Sequence, residues 1–240
     1  MWSICKKEFR QFFSSLTGLI AVVVFLLLNG LILFVFPGSG IFDYGYVTLE
    51  KFFQLAPLIL LLLIPAITMR SFSDEFRAGT YEILQTRPLG RWQLVLGKYT
   101  GSLLIAVIAL LPTLVYIVSI QALSENAGID TGATIGSYTG LFFLSGVFTA
   151  IGVCCSSFTS NAVIAFIVSA FACFLVYNGF DAFSRIPAFQ SGADYYLEML
   201  GINFHYASIS RGVIDSRDVV YFVSLTGFFL FLVHQKLAHR

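Results

Sequence analysis

The sequence predicts an all-α integral membrane protein with six transmembrane helices. Of its 240 residues, 58% are hydrophobic and only 11% are charged, and the mean hydropathy of +0.86 is typical of membrane proteins. A helix crosses the hydrocarbon core of a bilayer with roughly 17–25 apolar residues. Six runs without Asp, Glu, Lys or Arg reach or approach that length: 16–36, 52–69, 100–120, 135–155, 162–180 and 219–233. The sixth is the shortest, and we expect its helix to begin in the polar segment before it.

Residues 1–15 have the pattern of an amphipathic interfacial helix. Trp2, Cys5, Phe9, Phe12, Phe13 and Leu16 fall within an arc of about 100°. Lys6, Lys7 and Arg10 lie on the other side, so the helix could rest at the membrane surface near anionic headgroups. The alternative is a simple basic flank to the first span. The following apolar run is too long for a signal peptide, and we expect it to be retained as a span.

The orientation follows from the distribution of basic residues. With the N-terminus in the cytoplasm, ten of the 14 Lys and Arg residues lie in inside segments and four lie outside. The four outside residues are Lys51, Arg185, Arg211 and Arg217. Basic residues favour the cytoplasmic side of short loops. The sequence therefore predicts that both termini are cytoplasmic.

Residues 71–99 form a long charged segment between spans two and three. Asp74 and Glu75 suit the first turn of a helix, and the Arg87-Pro88 pair suits its end. We expect one helix over 72–86 with Glu75 and Glu82 on a shared face, because residues seven apart lie on the same side. Arg77, Gly79 and Thr80 lie between Glu75 and Glu82 in the sequence and would belong to the same helix. The alternative is a solvated hairpin that only connects two spans.

Several function classes lack their expected signals. Gly97-Lys98 is not a P-loop, since a P-loop requires G-x-x-x-x-G-K-[ST] and here Trp92 and Tyr99 occupy two of its fixed positions. We expect no cofactor and no metal on this chain. The charge-free spans and the lack of an internal repeat disfavour a secondary transporter. They also disfavour an intramembrane enzyme, which needs buried acidic residues or histidines.

Small residues and a second polar segment complete the pattern. Gly136 and Gly140 form a GxxxG motif with Gly146 further along the same span, and such residues allow close helix packing within the bundle or between subunits. The 181–218 segment is expected outside the cytoplasm. Within it, Arg211 and Asp215 are spaced to pair, and the stretch from Asp215 to Asp218 suits a capped start of the sixth span.

Together these features resemble the ABC-2 type permease family. That family's first cytoplasmic loop follows E-x3-G-T-x-E-x-L-x-T-x-P with a downstream GK. The matching positions here are Glu75, Gly79, Thr80, Glu82, Leu84, Thr86, Pro88, Gly97 and Lys98. SISRGVIDSRDVVYF resembles the segment entering the last span. FVFPGSG, LAPLILLLLIPAITMRSF, ALLPTLVY and GSYTGLFFLS are similar to the GldF-type gliding-motility branch found in Bacteroidetes.

The resemblance implies a six-helix fold of the type V exporter class in a bacterial inner membrane. It implies a non-catalytic permease subunit whose partner, a dimer of ABC ATPase subunits, binds ATP and Mg. The loop between spans two and three would be the coupling helix, and Glu75, Arg77, Gly79, Thr80, Glu82, Arg87 and Pro88 would carry the ATPase contact. A second permease copy or homologue and an accessory subunit with a large extracytoplasmic domain (GldG-like) are further implied partners. The alternative function is a structural membrane anchor of a motility or secretion machine.

Overall fold

The computed structural model describes residues 1–35, 49–85, 90–123, 130–185 and 194–239. Within these ranges the chain is helical and contains no strand. Six helical stretches are long and apolar enough to cross a membrane: Leu16–Phe34, Glu50–Arg77, Arg91–Ala122, Thr131–Phe158, Ala162–Ser184 and Ser216–Ala238. This confirms the predicted all-α architecture with six spans. The sixth helix begins at Ser216, three residues ahead of its apolar run.

The chain order defines the helices used below. They are α1 Trp2–Ser14, α2 Leu16–Phe34, α3 Glu50–Thr68, α4 Ser73–Arg77, α5 Thr80–Gln85, α6 Arg91–Leu110, α7 Leu114–Leu123, α8 Thr131–Phe158, α9 Ala162–Phe174, α10 Phe180–Ser184, α11 Asp194–Met199, α12 Ile202–Ser210 and α13 Ser216–Ala238. A 3-10 turn at Leu111–Thr113 joins α6 to α7, and Pro112 lies within it. Proline removes a backbone donor, which explains the interruption of the α-helix there.

Helix α8 is the centre of the bundle and contacts α3, α6, α9, α12 and α13. Glycines allow these approaches. A Cβ atom at Gly136 would lie 2.7 Å from Gly212 Cα, one at Gly140 would lie 3.1 Å from the Tyr206 ring, and one at Gly146 would lie 3.2 Å from the Tyr99 hydroxyl. The three glycines predicted to serve packing therefore face α6, α12 and the turn after α12 within this chain.

The buried apolar residues form two clusters. The larger one fills the middle of the bundle between α2, α3, α6, α8 and α12. The smaller one includes Ile4, Phe72, Tyr81, Leu94 and Leu237. Because it joins the start of α1 to the end of α13, both ends of the described chain lie at the same end of the bundle as α4 and α5.

Helix α1 packs along α6 with part of its apolar face. Ile4, Cys5 and Phe12 are buried, whereas Trp2 is 74% exposed. Ser15 is extended and ends α1, and its hydroxyl accepts a hydrogen bond from the Gly18 amide at 3.1 Å, which caps α2. Helix α1 is thus tied to the bundle, and its first residue, Trp2, presents an exposed aromatic ring at the end of α1 that is farther from α2.

Candidate functional site

Lys98 lies in the second turn of α6 and is almost completely buried, with 1% of its surface exposed. Two glycines flank it and let α1 approach. A Cβ atom at Gly97 would lie 3.0 Å from Ile4 Cβ, and one at Gly101 would lie 2.9 Å from Glu8 Cβ. Any larger residue at either position would push α1 away from α6. The lysine is therefore enclosed by backbone packing.

Two carboxylates and a carbonyl surround the Lys98 ammonium group. Its Nζ donates to Glu8 Oε1 at 2.9 Å and to the Ser71 carbonyl. Glu75 Oε2 lies 3.0 Å away, within ion-pair distance, although it is not aligned for a hydrogen bond. Lys7 donates to the other oxygen of Glu75 at 2.8 Å. We call Lys7, Glu8, Glu75 and Lys98 the charged junction; its two positive and two negative charges cancel.

The charged junction joins α1, α4 and α6. Glu8 belongs to α1, Glu75 to α4 and Lys98 to α6. The Lys98 ammonium also lies 4.8 Å from the centre of the Phe72 ring, a cation–π contact. Buried charges are retained when they are paired and hydrogen-bonded. Since each charge here depends on partners from another helix, the three helices are held in a fixed arrangement.

The loop after α3 forms two short helices, and the expectation of a single helix over 72–86 is wrong. Helix α4 ends at Arg77 and α5 begins at Thr80, with Gly79 at φ +65° between them. That left-handed conformation suits glycine because it has no Cβ. Among the described residues other than its two neighbours, no atom lies within 4 Å of a Cβ built at Gly79. In that part of the chain the glycine therefore serves the turn and makes no close contact.

Glu75 and Glu82 also differ in their surroundings. Glu75 is 8% exposed and is paired with Lys7 and Lys98, so it does not present a free carboxylate to a partner. Glu82, Arg77, Gly79 and Thr80 are exposed. The expectation that both glutamates face outward on one helix side is thus corrected for Glu75. Arg87 and Pro88 lie outside the described residues.

Helix α4 is fixed to α8 by a serine. The Ser156 hydroxyl accepts from the amides of Phe72 at 2.9 Å and Ser73 at 3.2 Å, and it donates to the Met69 carbonyl at 3.2 Å. The first amides of a helix have no partner within the helix itself. Ser156 supplies one from a neighbouring span, so the start of α4 cannot move independently of α8.

A second cluster of polar residues lies at the opposite end of the bundle. Asp215 caps α13 by accepting from the Arg217 amide at 3.0 Å. The predicted pair between Arg211 and Asp215 is not formed; both side chains are exposed, and Arg211 ends α12. Asp218 is 5% exposed and lies 2.7 Å from His205 Nδ1.

His205 uses both ring nitrogens. Its Nε2 lies 2.9 Å from the Met199 carbonyl, and its ring stacks on Tyr221 with centroids 4.0 Å apart. Next to it, Tyr206 donates to the Phe53 carbonyl at 2.8 Å, and burial raises the pKa of Tyr206 well above its usual value of 10. Tyr206 therefore stays a neutral donor. These contacts fasten α12 to α3 and α13.

Sequence reasoning missed four residues of these sites: Lys7, Glu8, Ser156 and His205. Lys7 was placed on the polar side of α1, but nothing local indicates its partner. Glu8 and Lys98 are 90 residues apart, and Ser156 and Phe72 are 84 apart. The one available signal was Lys98 itself, a cation at the edge of an apolar span that the family motif includes.

Comparison with known proteins agrees with this architecture. A family model described as an ABC-2 family transporter protein matches residues 2–184, well over half of the chain. The match includes α1, the charged junction and the first five spans, and it stops before α13 and Asp218. No curated protein sequence matches the chain. The chain belongs to the ABC-2 family of transporter membrane proteins, whose members are multi-pass, non-catalytic permease components that work with an ATPase.

Proposed function

We propose that the ATPase docks on the tip formed by residues 77–82, and that the charged junction passes its movement to the spans. The observation that supports this most directly is the contrast within one short loop. Arg77, Gly79, Thr80 and Glu82 are exposed, whereas Glu75, two residues before Arg77, is buried against Lys98 of α6. A displacement of the tip is therefore transmitted to α6 through the buried ion pair between Glu75 and Lys98, which the surrounding packing holds in place.

The anchoring of α4 supports the same mechanism. Ser156 ties the start of α4 to α8, and Glu75 ties its middle to α1 and α6. Rigid elements with several attachments can transmit a displacement, whereas a solvated hairpin would bend. In this mechanism the partner dimer binds ATP and Mg, and ATP-driven closure moves α4 together with three other helices.

The finer identity is proposed on the basis of the sequence resemblance. The runs named above are similar to GldF-type gliding-motility permeases, so we propose a permease of that branch. Its partners would be a second permease copy or homologue and a GldG-like accessory subunit. The membrane would be the bacterial inner membrane with both termini in the cytoplasm, in agreement with the ten basic residues expected on that side.

A bulky substitution at the tip tests the docking. Thr80→Trp should insert and fold normally, because Thr80 is exposed. It should reduce the amount of ATPase that co-purifies with the chain and the ATPase activity in lipid nanodiscs. Thr131→Trp is the matched control, since Thr131 is exposed at the opposite end of the bundle. Unchanged ATPase recovery and activity with Thr80→Trp would rule out docking at this tip.

A second measurement separates transport from anchoring. Lys98→Met is expected to lower the stability of the chain, so the measurement uses only the fraction that is folded and monodisperse after gel filtration. In that fraction ATPase binding should be largely intact, because the exposed residues of the tip are not altered, but the stimulation of ATP hydrolysis by the membrane subunit should fall. A subunit that only anchors a machine would show no such loss. Full stimulation in the Lys98→Met variant would therefore contradict the proposed path of force.

A further inference from the structure

His205 has a hydrogen-bond acceptor at each of its two ring nitrogens. Its Nδ1 lies 2.7 Å from an oxygen of Asp218, and its Nε2 lies 2.9 Å from the Met199 carbonyl. A carbonyl oxygen only accepts hydrogen bonds, and so does an ionised carboxylate. Neutral imidazole has one N–H group, whereas imidazolium has two. A neutral ring beside an ionised Asp218 could therefore form only one of the two hydrogen bonds.

Two arrangements of protons form both hydrogen bonds. In the first, an imidazolium donates to the Met199 carbonyl and to an ionised Asp218. In the second, a protonated Asp218 donates to Nδ1, and Nε2–H donates to Met199. Both arrangements place two protons on the His205–Asp218 pair, leave the pair neutral overall and keep a proton on Nε2. The pair is therefore the unit that gains or loses the second proton.

The burial of the pair favours the arrangement with two protons. His205 is 6% exposed and Asp218 is 5% exposed. The second oxygen of Asp218, Oδ2, is buried and has no hydrogen-bond partner among the described residues. Loss of the second proton would leave a net negative charge at this site. A buried charge is costly unless it is paired and hydrogen-bonded, so the neutral pair is the stable form.

The titratable groups around the pair do not replace either of its members. Those described on the elements packed against α12 near this end are Tyr138 of α8, Tyr177 of the π-helical turn Leu175–Gly179, Tyr195, Tyr196 and Glu198 of α11, and Asp215, Arg217 and Tyr221 of α13. Tyrosine loses its proton only in more alkaline solution than histidine does. Glu198 accepts from Ser184 at 3.2 Å, Asp215 caps α13, and Arg217 is exposed.

The second proton maintains contacts between three helices. The Asp218 contact joins α12 to α13, and the Met199 contact joins α12 to the end of α11. Other attachments of α12 do not need this proton, because the hydroxyls of Tyr206 and Ser137 donate to backbone carbonyls at 2.8 and 3.1 Å and tie α12 to α3 and α8. Loss of the proton would therefore weaken the contacts of α12 with α11 and α13 and leave its contacts with α3 and α8.

We propose that the His205–Asp218 pair is a proton-sensitive attachment of α12, which holds its second proton at pH 7 and releases it in more alkaline solution. Asp218 is the third residue of α13 and follows the exposed Ser216 and Arg217, so the proton has a short route to water. The pair lies at the end of the bundle opposite the charged junction. It therefore responds to the solution on the other side of the membrane from α4 and α5. The inference does not depend on where the ATPase docks.

Ring nitrogen NMR of the full chain in detergent measures the number of protons directly. The chain has three histidines, so ¹⁵N-histidine labelling gives few signals, and His205→Gln assigns those of His205. At pH 7 its Nε2 should be protonated. A protonated Nδ1 would then place the second proton on His205, and an unprotonated Nδ1 would place it on Asp218. An unprotonated Nε2 at pH 7 would show a pair with a single proton and would overturn the proposal.

The pH dependence of unfolding is an independent measurement. A free histidine is half protonated near about pH 6.5, so above pH 7 the folded chain should bind more protons than the unfolded chain. Its stability should then fall as the pH rises, until the folded pair has also lost its proton. The equilibrium constant of unfolding should increase by up to about tenfold per pH unit. His205→Gln should lack this contribution, and cysteines and the N-terminus contribute equally to both chains.

Two further variants separate the proton from the contact. Asp218→Asn should stay close to the wild type at pH 7, because the amide donates to Nδ1 and Nε2–H still donates to Met199, but it should lack the pH dependence. His234→Gln is the matched control; it removes a half-buried histidine at the other end of the bundle and should keep the wild-type dependence. A wild-type slope no steeper than that of His205→Gln, or an equal loss of slope in His234→Gln, would overturn the proposal.

Discussion

Replacement of Lys98 by methionine should strongly destabilise the chain. Methionine has a similar length, so packing against Phe72 is largely kept, and the change removes the ammonium group with its charge and its hydrogen bonds to Glu8 and the Ser71 carbonyl. The side chains of Glu8 and Glu75 are 12% and 9% exposed, and they would be left with Lys7 as the remaining cation of the charged junction. Removing one partner of a buried ion pair costs about 3–5 kcal/mol. We expect a loss of that size in the free energy of unfolding.

Lys7→Met is the matched control, since Lys7 contacts the same Glu75 carboxylate at 2.8 Å. The Lys7 side chain is 51% exposed, compared with 1% for Lys98. An exposed pair contributes about 0–1 kcal/mol because water and salt screen it. Two lysines that share one carboxylate should therefore differ severalfold in their effect, because Lys98 is buried and also contacts Glu8 and the Ser71 carbonyl, whereas Lys7 is half exposed.

A neutral version of the charged junction tests the cause of the loss. Lys98→Met combined with Glu8→Gln and Glu75→Gln removes the three buried charges together, which should recover most of the stability. The assay is reversible unfolding of the full chain in detergent micelles. Equal costs for Lys7→Met and Lys98→Met, or a triple variant no more stable than Lys98→Met, would refute the reasoning.

Three further substitutions test other parts of the fold by the same unfolding measurement. Gly152→Ala should lower the free energy of unfolding by about 1–3 kcal/mol through overpacking, because its Cβ would lie 2.9 Å from Thr68 Cβ. Gly227→Ala is the control; its Cβ would meet open space, so it should be neutral or stabilising. Equal effects of the two substitutions would contradict the close approach of α3 and α8. Gly79→Ala should lower the free energy of unfolding by about 1–2 kcal/mol, because alanine would have to adopt the left-handed φ of +65°. A loss near zero would mean that the turn changes its conformation to accommodate alanine. Asp218→Ala should lower the free energy of unfolding by about 1–3 kcal/mol, because it leaves the buried His205 Nδ1 without its hydrogen-bond partner. Asp215→Asn should be nearly neutral because asparagine caps helices equally well; an equally small loss for Asp218→Ala would show that its bond to His205 adds no stability.

The six spans could be predicted because their signal is local. Length and lack of charge decide whether a segment crosses lipid, and both can be read without knowing any neighbour. Pro57 and Pro65 do not contradict the prediction of a continuous second span, since both lie inside α3. Prolines are tolerated in spans where neighbouring groups satisfy the freed backbone carbonyls.

The charged loop was harder to predict because its structure depends on tertiary contacts. A seven-residue spacing placed Glu75 and Glu82 on one helix face, but Gly79 adopts a left-handed turn and separates them. Glycine in a helix interior is unfavourable by about 1 kcal/mol relative to alanine, so Gly79 was the available sign of a break. The burial of Glu75 had no such sign, because its partners lie on α1 and α6.

The separation of Glu8 and Lys98 along the chain has a consequence for biogenesis. Translation proceeds at about 5–20 residues per second, so the 90 residues between them take roughly 5–18 s to synthesise. During that interval α1 and two spans have left the ribosome while the Glu8 carboxylate still lacks its cation. Helix α1 must wait at the membrane surface, where water solvates Glu8, until α6 is made. The apolar cluster beside it is completed only by Leu237, so this end of the bundle assembles last.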